Sequence, residues 1–307
     1  MKFELTILGS NSALPTPKRF SSAQLLNINE RFFLIDCGEG TQIQLRKYKQ
    51  VFSKINNIFI SHLHGDHFFG LPGLISSFSL LGRKADLNIY CPRDLERIIS
   101  CMLGGFGDKI TFNINYIYTN PKQEEIIYED KEVIVKSFPL KHRIVTTGFY
   151  FIEKQKRNRL IKEKLEAYNI PIKLRDGIIN GDDFTTKDGT VIENKYLTKK
   201  PTKPRSYAYC SDTAYTEKIV ETLKDCDLLY HEATFSDEHE ARAKETLHST
   251  AKQAAKIAEL ANTKQLIIGH FSPRYKSLDK LLEEAKSVFD NTSIVNDGDV
   301  FKVENPL

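Results

Sequence analysis

No stretch of this chain is long and apolar enough to suggest a membrane span, which takes about 20 residues. No internal repeat and no low-complexity tract is visible, so solenoid and disordered classes are set aside. The N-terminal Met1-Lys2-Phe3-Glu4-Leu5 has an acid where a signal peptide would keep its apolar stretch. The expected compartment is the cytoplasm. The five cysteines are odd in number, and no two form a Cys-x-x-Cys pair. A disulfide framework and a thiolate zinc site are therefore both disfavoured. Charge of one sign is also scarce, since the net value is +4 over 307 residues. That permits a polyanionic partner without requiring one.

Residues of the right kind for metal chemistry are concentrated instead. His62-Leu63-His64-Gly65-Asp66-His67 packs three imidazoles and a carboxylate into six positions, directly after the apolar Ile58-Phe59-Ile60. An apolar run closed by a Gly-containing loop reads as a buried strand ending at its tip. From a loop, such closely spaced side chains can converge on neighbouring ions. Neutral imidazole suits zinc, and a carboxylate can bridge two ions.

Three more candidates follow other apolar runs. His142 comes after Phe138-Pro139-Leu140, Asp212 after Tyr207-Ala208-Tyr209-Cys210, and His270 after Leu266-Ile267-Ile268-Gly269. A single histidine after a strand is more often structural, but four segments ending this way share one rim of a core. The expected ligands are His62, His64, Asp66, His67, His142, Asp212 and His270, enough for two Zn2+ per chain, with Mn2+ or another divalent ion able to substitute. A purely structural zinc would be closed and mostly thiolate-bound. His231 and His239 are read as structural or surface residues.

Along the chain, apolar patterning predicts strands at 3–8, 23–28, 32–35, 57–61, 87–91, 207–210, 228–230 and 266–269, with two more within 126–138. Helices are expected at 40–48, 72–81, 92–102 and 250–261, the last capped by Ser249 or Thr250. Ile294–Val303 reads as a closing hairpin turning at Asp297-Gly298. Residues 151 to about 205 stand apart. They are charged, broken by glycine and proline, and basic at both ends, with Lys154, Lys156, Arg157 and Arg159 at the first. They read as an arm or lobe inserted between two αβ halves, although composition taken alone favours a solvated surface excursion, as charge runs usually are.

His-x-His-x-Asp-His with a later His, Asp and His in that order resembles the metallo-β-lactamase superfamily. The resemblance implies an α/β fold, a four-layer αβ/βα sandwich, over 1–307, with metals at the edge between two sheets. Finer motifs resemble the ribonuclease Z family, which processes transfer RNA 3′ ends. They are Leu8-Gly9-Ser10, Ala13-Leu14-Pro15-Thr16, Arg19-Phe20-Ser21-Ser22, Phe33-Leu34-Ile35-Asp36-Cys37-Gly38-Glu39-Gly40-Thr41-Gln42 and Gly70-Leu71-Pro72-Gly73-Leu74. Downstream are His231-Glu232-Ala233-Thr234-Phe235, His248-Ser249-Thr250 and Phe271-Ser272-Pro273-Arg274-Tyr275.

This likeness implies a zinc-dependent endoribonuclease that removes the 3′ trailer of precursor transfer RNA by attack of metal-activated water. The products would be a 3′-hydroxyl on the transfer RNA and a 5′-phosphate on the trailer. On chemical grounds His248 is the donor of a proton to the leaving 3′ oxygen, and Glu232 orients it. The resemblance gives them the same roles and makes Asp66 the acceptor of the water proton. Ser249 and Arg274 are candidate phosphate contacts, although Arg274 can equally serve to hold its loop. It further implies a homodimer, no membrane or other protein partner, and an inserted arm at 152–200 that grips the transfer RNA. The family's Gly-Pro-Gly arm motif is replaced here by Asn169-Ile170-Pro171-Ile172-Lys173. Rival readings are a small-phosphodiester or sulfate-ester hydrolase of the same fold, an RNA-binding protein with an inactive metal site, and a zinc-stabilised structural protein.

Overall fold

A computed structural model describes residues 2–104 and 110–304. By compactness the chain divides into two units, residues 1–152 with 205–304, and residues 153–204. The first unit holds two seven-stranded sheets. In one, the order is Val300–Lys302, Phe3–Gly9, Ala23–Ile28, Arg31–Ile35, Ile55–Phe59, Leu87–Cys91, Ile114–Tyr118. In the other it is Thr292–Ile294, Gln265–Gly269, Leu228–Glu232, Ser206–Cys210, Thr147–Glu153, Val133–Pro139, Glu125–Glu129. Each sheet contains a run of four parallel strands, from Arg31–Ile35 to Ile114–Tyr118 and from Ser206–Cys210 to Thr292–Ile294.

The sheets form the middle of an αβ/βα sandwich, so their central strands are buried on both faces and read as continuous apolar runs. Alternation assigns each residue to a layer. From Arg31–Ile35, Phe33 and Ile35 enter the core between the sheets, whereas Phe32 and Leu34 face the helical layer with Leu71, Leu74, Ile75, Phe78, Leu95 and Ile99. The inter-sheet core is aromatic. Phe59 stacks on Tyr90 at 4.4 Å between centroids and meets Phe149 and Phe151 edge-on, each at 5.3 Å. On the opposite face, helix Ala251–Leu260 packs its alanine-rich side on strands Leu228–Glu232 and Gln265–Gly269. Its N-cap is Thr250, in a full capping box with Gln253.

Most predicted elements occur within a few residues of their expected limits. Three differences bear on the architecture and the site. First, no closing hairpin forms. Thr292–Ile294 joins the second sheet in parallel, and Val300–Lys302 joins the first, antiparallel to Phe3–Gly9. The Asp297 carboxylate accepts from Ser10 Oγ and Phe20 N, both at 2.7 Å, so this turn fastens the N-terminal loop and carries the chain from one sheet to the other. Second, the metal-type motif is not all loop: Gly65–Phe68 is a single helical turn that carries Asp66 and His67. Third, strands Ile114–Tyr118 and Thr147–Glu153 form where patterning predicts none.

Residues 153–204 fold around a small core of their own, Ile170, Ile178, Phe184 and Leu197. Helices Lys162–Ala167, Ile172–Asn180 and Asn194–Leu197 and two short strand pairs build it. Asn169 takes φ 51° directly after the first helix, the left-handed position that glycine otherwise fills and that asparagine tolerates best among other residues. Ile170 then enters the core, and Pro171 opens the next helix. The unit carries 13 lysines and arginines against 8 acids, so it alone exceeds the net +4 of the whole chain.

Phe59 carries the inter-sheet packing beside the metal-type loop. Phe59→Ala is expected to cost about 3–5 kcal/mol of stability. Urea unfolding followed by circular dichroism checks this, and an unchanged midpoint would show that the aromatic cluster is not what joins the sheets.

Candidate metal centre

The candidate ligands sit at the C-terminal ends of the parallel strands, where open α/β sheets present their binding crevices. Ile55–Phe59 leads to His62, His64, Asp66 and His67, Ser206–Cys210 to Asp212, and Gln265–Gly269 to His270. His142 follows Val133–Pro139 in the second sheet. Close backbone approach holds the first loop in place. A Cβ on Gly38 would lie 2.3 Å from the Asp66 carbonyl oxygen, and one on Gly70 would lie 2.1 Å from that of Gly38. The two sheets are also joined here, by Thr147 N to Ser61 O at 3.1 Å and by Ser61 Oγ to Ser211 Oγ at 3.0 Å.

All seven candidate ligands meet, in two groups. His62 Nε2, His64 Nδ1, His142 Nε2 and Asp212 Oδ2 lie 3.0–4.0 Å apart in the pairs His62–His64, His64–His142, His62–Asp212, His142–Asp212 and His64–Asp212. Asp66 Oδ2, His67 Nε2 and His270 Nε2 make the second group, 3.3–3.4 Å apart, and Asp212 Oδ1 approaches its two imidazole nitrogens at 3.4 and 3.2 Å. Asp212 gives one oxygen to each. An ion held at about 2.0–2.1 Å by tetrahedral donors keeps them about 3.4 Å apart, close to the separations between neighbouring donors here. Asp212 is 2% exposed and its Oδ1 has no hydrogen-bond partner. A buried, orphaned carboxylate oxygen facing imidazole nitrogens fits a divalent cation.

The imidazoles are aimed from behind. His67 Nδ1 meets Asp36 Oδ2 at 2.7 Å, His142 Nδ1 donates to the Leu247 carbonyl at 2.8 Å, and His270 Nδ1 meets Thr234 Oγ1 at 2.9 Å. Such contacts fix which nitrogen faces the metal. Asp36, Leu247 and His270 all have φ between 54° and 60°, a conformation uncommon for these residues that tertiary contacts must enforce. Electrostatics run in step. Burial and neighbouring His67 hold His62 below its ordinary range, and burial with His62 pushes His64 down to about 4. Burial works against the charge on Asp212, but His270, His67 and His62 outweigh it and keep the carboxylate ionised. Asp66 is held ionised against burial in the same way, by His67 and His270.

His248 stands beside this centre. Its Nδ1 meets Glu232 Oε1 at 2.8 Å, and its Nε2 lies 3.9 Å from Asp212 Oδ2. Burial disfavours charge on this ring, but the Glu232 carboxylate, aided by Asp212, pushes its pKa up to about 9. Glu232 is fully buried and accepts further bonds from Thr213 N and from Thr234 N and Oγ1. His231 donates from Nδ1 to the Glu232 carbonyl, and His239 bonds Ser236; neither joins the two groups.

The expected phosphate contacts divide. Ser249 is fully buried with its hydroxyl donated to the Thr213 carbonyl at 2.7 Å, so it braces the loop and does not face the cavity. Arg274 is exposed and lies over the Phe235 ring, 5.0 Å from its centroid. Lys154, Lys156, Arg157 and Arg159 belong to the separate basic unit. Patterning misses the supports Asp36, Thr234 and Leu247. Asp36 and Thr234 stand inside family-like motifs, but only the folded chain brings them behind His67 and His270.

Residues 3–157 match the family model described as anti-Pycsar protein Apyc1, and residues 196–271 match a beta-lactamase superfamily domain. A protein named ribonuclease Z from Bacteroides fragilis YCH46 is 49% identical over 296 residues, covering 96% of this chain and 97% of the relative. Another of that name from Porphyromonas gingivalis W83 is 48% identical over 295 residues, 96% and 97% of the two chains. Among solved structures, the short form of human tRNase Z superposes with a TM-score of 0.71 at 28% identity, over 98% of this chain and 99% of that one. A metallo-β-lactamase fold protein from Bacillus subtilis, at 18% identity and TM-score 0.70 over 98% and 100%, shows the shared fold. With a full-length likeness of this order and a sandwich whose strand ends gather His-x-His-x-Asp-His, His142, Asp212 and His270, the chain belongs to the ribonuclease Z family of the metallo-β-lactamase fold.

Proposed function

We propose that this chain removes the 3′ trailer from precursor transfer RNA as a zinc-dependent endonuclease. The observation that carries the reading is a pair of donor groups sharing Asp212 with the His248–Glu232 pair beside them. The names and titles of its relatives, ribonuclease Z and tRNase Z, support the substrate.

His62, His64, His142 and Asp212 would hold one ion, and Asp66, His67, His270 and Asp212 the other. Bound there, two divalent ions supply an activated water and neutralise charge on the phosphoryl oxygens. Asp66 Oδ2, ionised between His67 and His270, takes the proton of the attacking water. His248, kept protonated by Glu232, delivers the Nε2 proton to the leaving 3′ oxygen of the transfer RNA. Thr234 and the Thr213 amide hold Glu232 in the orientation that feeds His248. Because water and not the RNA 2′-hydroxyl attacks, the products are a 3′-hydroxyl on the transfer RNA and a 5′-phosphate on the trailer. The basic unit at 153–204 neutralises phosphates of the transfer RNA body. Exposed Ile43, Leu80 and Leu81, on and beside neighbouring helices Thr41–Lys47 and Leu71–Leu80, offer apolar surface to a second copy of the chain. The cytoplasmic setting goes with four buried free thiols, Cys37, Cys91, Cys210 and Cys226. Among the described residues no helix is long and apolar enough to cross a membrane. Incubation with a 3′-extended transfer RNA, followed by mapping of the cut and its end groups, tests the whole reading; a 2′,3′-cyclic phosphate on the transfer RNA would refute it.

Elemental analysis after metal reconstitution is expected to find two zinc ions per chain, and about one in Asp66→Ala, which loses a donor of only one group. One ion at saturation in the unaltered protein would contradict the two-group reading.

His248→Ala is expected to keep both ions and slow single-turnover cleavage by about 10²–10⁴-fold. The donor must be protonated, so the rate should hold below its pKa and fall as pH rises through about 9. Glu232→Gln removes the charge that raises this pKa, and the alkaline limb should move to lower pH. A wild-type rate for His248→Ala, or a limb unmoved by Glu232→Gln, would remove these roles.

Replacing residues 153–204 with a Gly/Ser linker should spare hydrolysis of a small model diester and weaken precursor binding. The slope of log affinity against log salt should become shallower by about 0.7–0.9 for each phosphate the unit no longer neutralises. An equal drop in activity on both substrates would make the unit a support for the fold.

A further inference from the structure

A second cavity of about 980 Å³ opens beside the metal centre, larger than the cavity of about 500 Å³ over the centre itself. His64 and Arg143 line both, so the two share a wall. The larger one has apolar sides, including Pro92, Ile144 and Val145, of which Ile144 and Val145 are 38% and 49% exposed. It also holds two exposed arginines, Arg93 and Arg143. Among the described residues, neither has a hydrogen bond or ion pair to a protein group.

Arg93 is nevertheless placed. Its guanidinium lies over the Tyr118 ring, 4.5 Å from the centroid. Tyr118 ends strand Ile114–Tyr118, and its hydroxyl is tied to Glu96 on helix Asp94–Gly104. The guanidinium thus lies against an anchored aromatic ring, on an exposed side chain that lines the cavity. Two acids, Asp94 and Glu125, also line the cavity, and Glu125 is engaged by the Asn120 amide at 3.0 Å.

We propose that this cavity is a nucleotide subsite. It takes an unpaired nucleotide flanking the scissile phosphate, with its base stacked on Arg93 and its phosphate drawn to Arg143. The inference rests on the transfer RNA reading, and deepens it by naming what recognises the strand next to the cut. Three observations support it together. A flat cation backed by an aromatic ring is a stacking surface for any base. Exposed apolar side chains beside it suit a base edge or ribose. Arg143, on the wall common to both cavities, meets the chain where its phosphates pass to the metal centre. A small inorganic anion would not need the apolar wall, and an apolar ligand would not need two arginines.

The nucleotide comes from one of two sources, the last residue of the transfer RNA or the first of the trailer. Precursors abasic at one or the other position distinguish them. The unaltered enzyme must first cut the intact precursor, and failure there sinks the transfer RNA reading, not this one. Given that cleavage, Arg93→Ala is expected to lower kcat/KM by roughly 5- to 100-fold, mostly through KM. One of the two abasic precursors should be cut worse than the intact one by the unaltered enzyme, and Arg93→Ala should no longer distinguish them. Arg93→Lys keeps the charge but not the plane, and should restore little of the activity. Full rescue by lysine, an unchanged kcat/KM in Arg93→Ala, or abasic sensitivity equal in variant and unaltered enzyme at both positions would overturn the assignment.

Discussion

A single buried carboxylate sets the terms for this molecule. Asp212 lies within 4.0 Å of six histidine nitrogens, those of His62, His64, His67, His142, His248 and His270. A lone carboxylate in such a place is costly unless positive charge answers it. Burial, with neighbouring histidines, holds His62, His64 and His142 below their ordinary range, so these rings answer it poorly as cations. Divalent metal binding would resolve the conflict, because neutral imidazoles then serve as donors and the Asp212 carboxylate meets a positive charge. The same demand explains why ligands from both sheets converge. One sheet alone cannot surround Asp212, so the centre has to lie at the edge where two sheets meet.

Holding like-polarity atoms 3–4 Å apart requires a rigid frame, and the frame is visible in the supports. Asp36 is the clearest. Its Oδ2 takes the His67 ring, Tyr209 hydroxyl and Ser61 hydroxyl, and its Oδ1 takes the Ser61 amide. Tyr209 belongs to the second sheet and Asp36 to the loop after Arg31–Ile35 of the first, so one carboxylate joins both sheets and aims a ligand. Thr234 does similar work on the other side, where its hydroxyl touches Glu232, His248 and His270. One hydroxyl therefore braces both His248 and His270.

The seven candidate ligands that converge were legible in the sequence because they sit in a dense motif or directly after apolar runs, and both signals are local. The sandwich was legible through strand patterning and family likeness together. What escaped depends on contacts between distant residues. Asp297-Gly298 carries the usual composition of a hairpin turn. The Asp297 side chain is instead engaged by Ser10, Phe20 and Gln44, from the far end of the chain, and the flanking strands go to different sheets. Ser249 follows His248 and has a hydroxyl suited to phosphate, yet the Thr213 carbonyl takes that hydroxyl in the interior. The supports of the histidines escaped for the same reason, since Leu247 acts through its backbone and no side-chain pattern marks it.

Residues 153–204 show how composition can mislead in the other direction. Their charge runs read as a solvated excursion, but Ile170, Ile178, Phe184 and Leu197 bury together, with Leu160, Leu165, Tyr168 and Ile192 around them. Those apolar residues are too sparse and too irregularly spaced to stand out by period. The charge is partitioned accordingly. The basic unit has a net +5 by residue count, which leaves the rest of the chain at −1 from the total of +4. A long polyanion is thus attracted mainly to the small unit, through contacts that salt weakens. The larger unit is close to neutral overall, and its positive charge near the site is local, in a few arginines such as Arg93 and Arg143. On the proposed reading, recognition of a bulky RNA and chemistry on one phosphate respond to different variables, ionic strength for the first and metal occupancy with the protonation of His248 for the second.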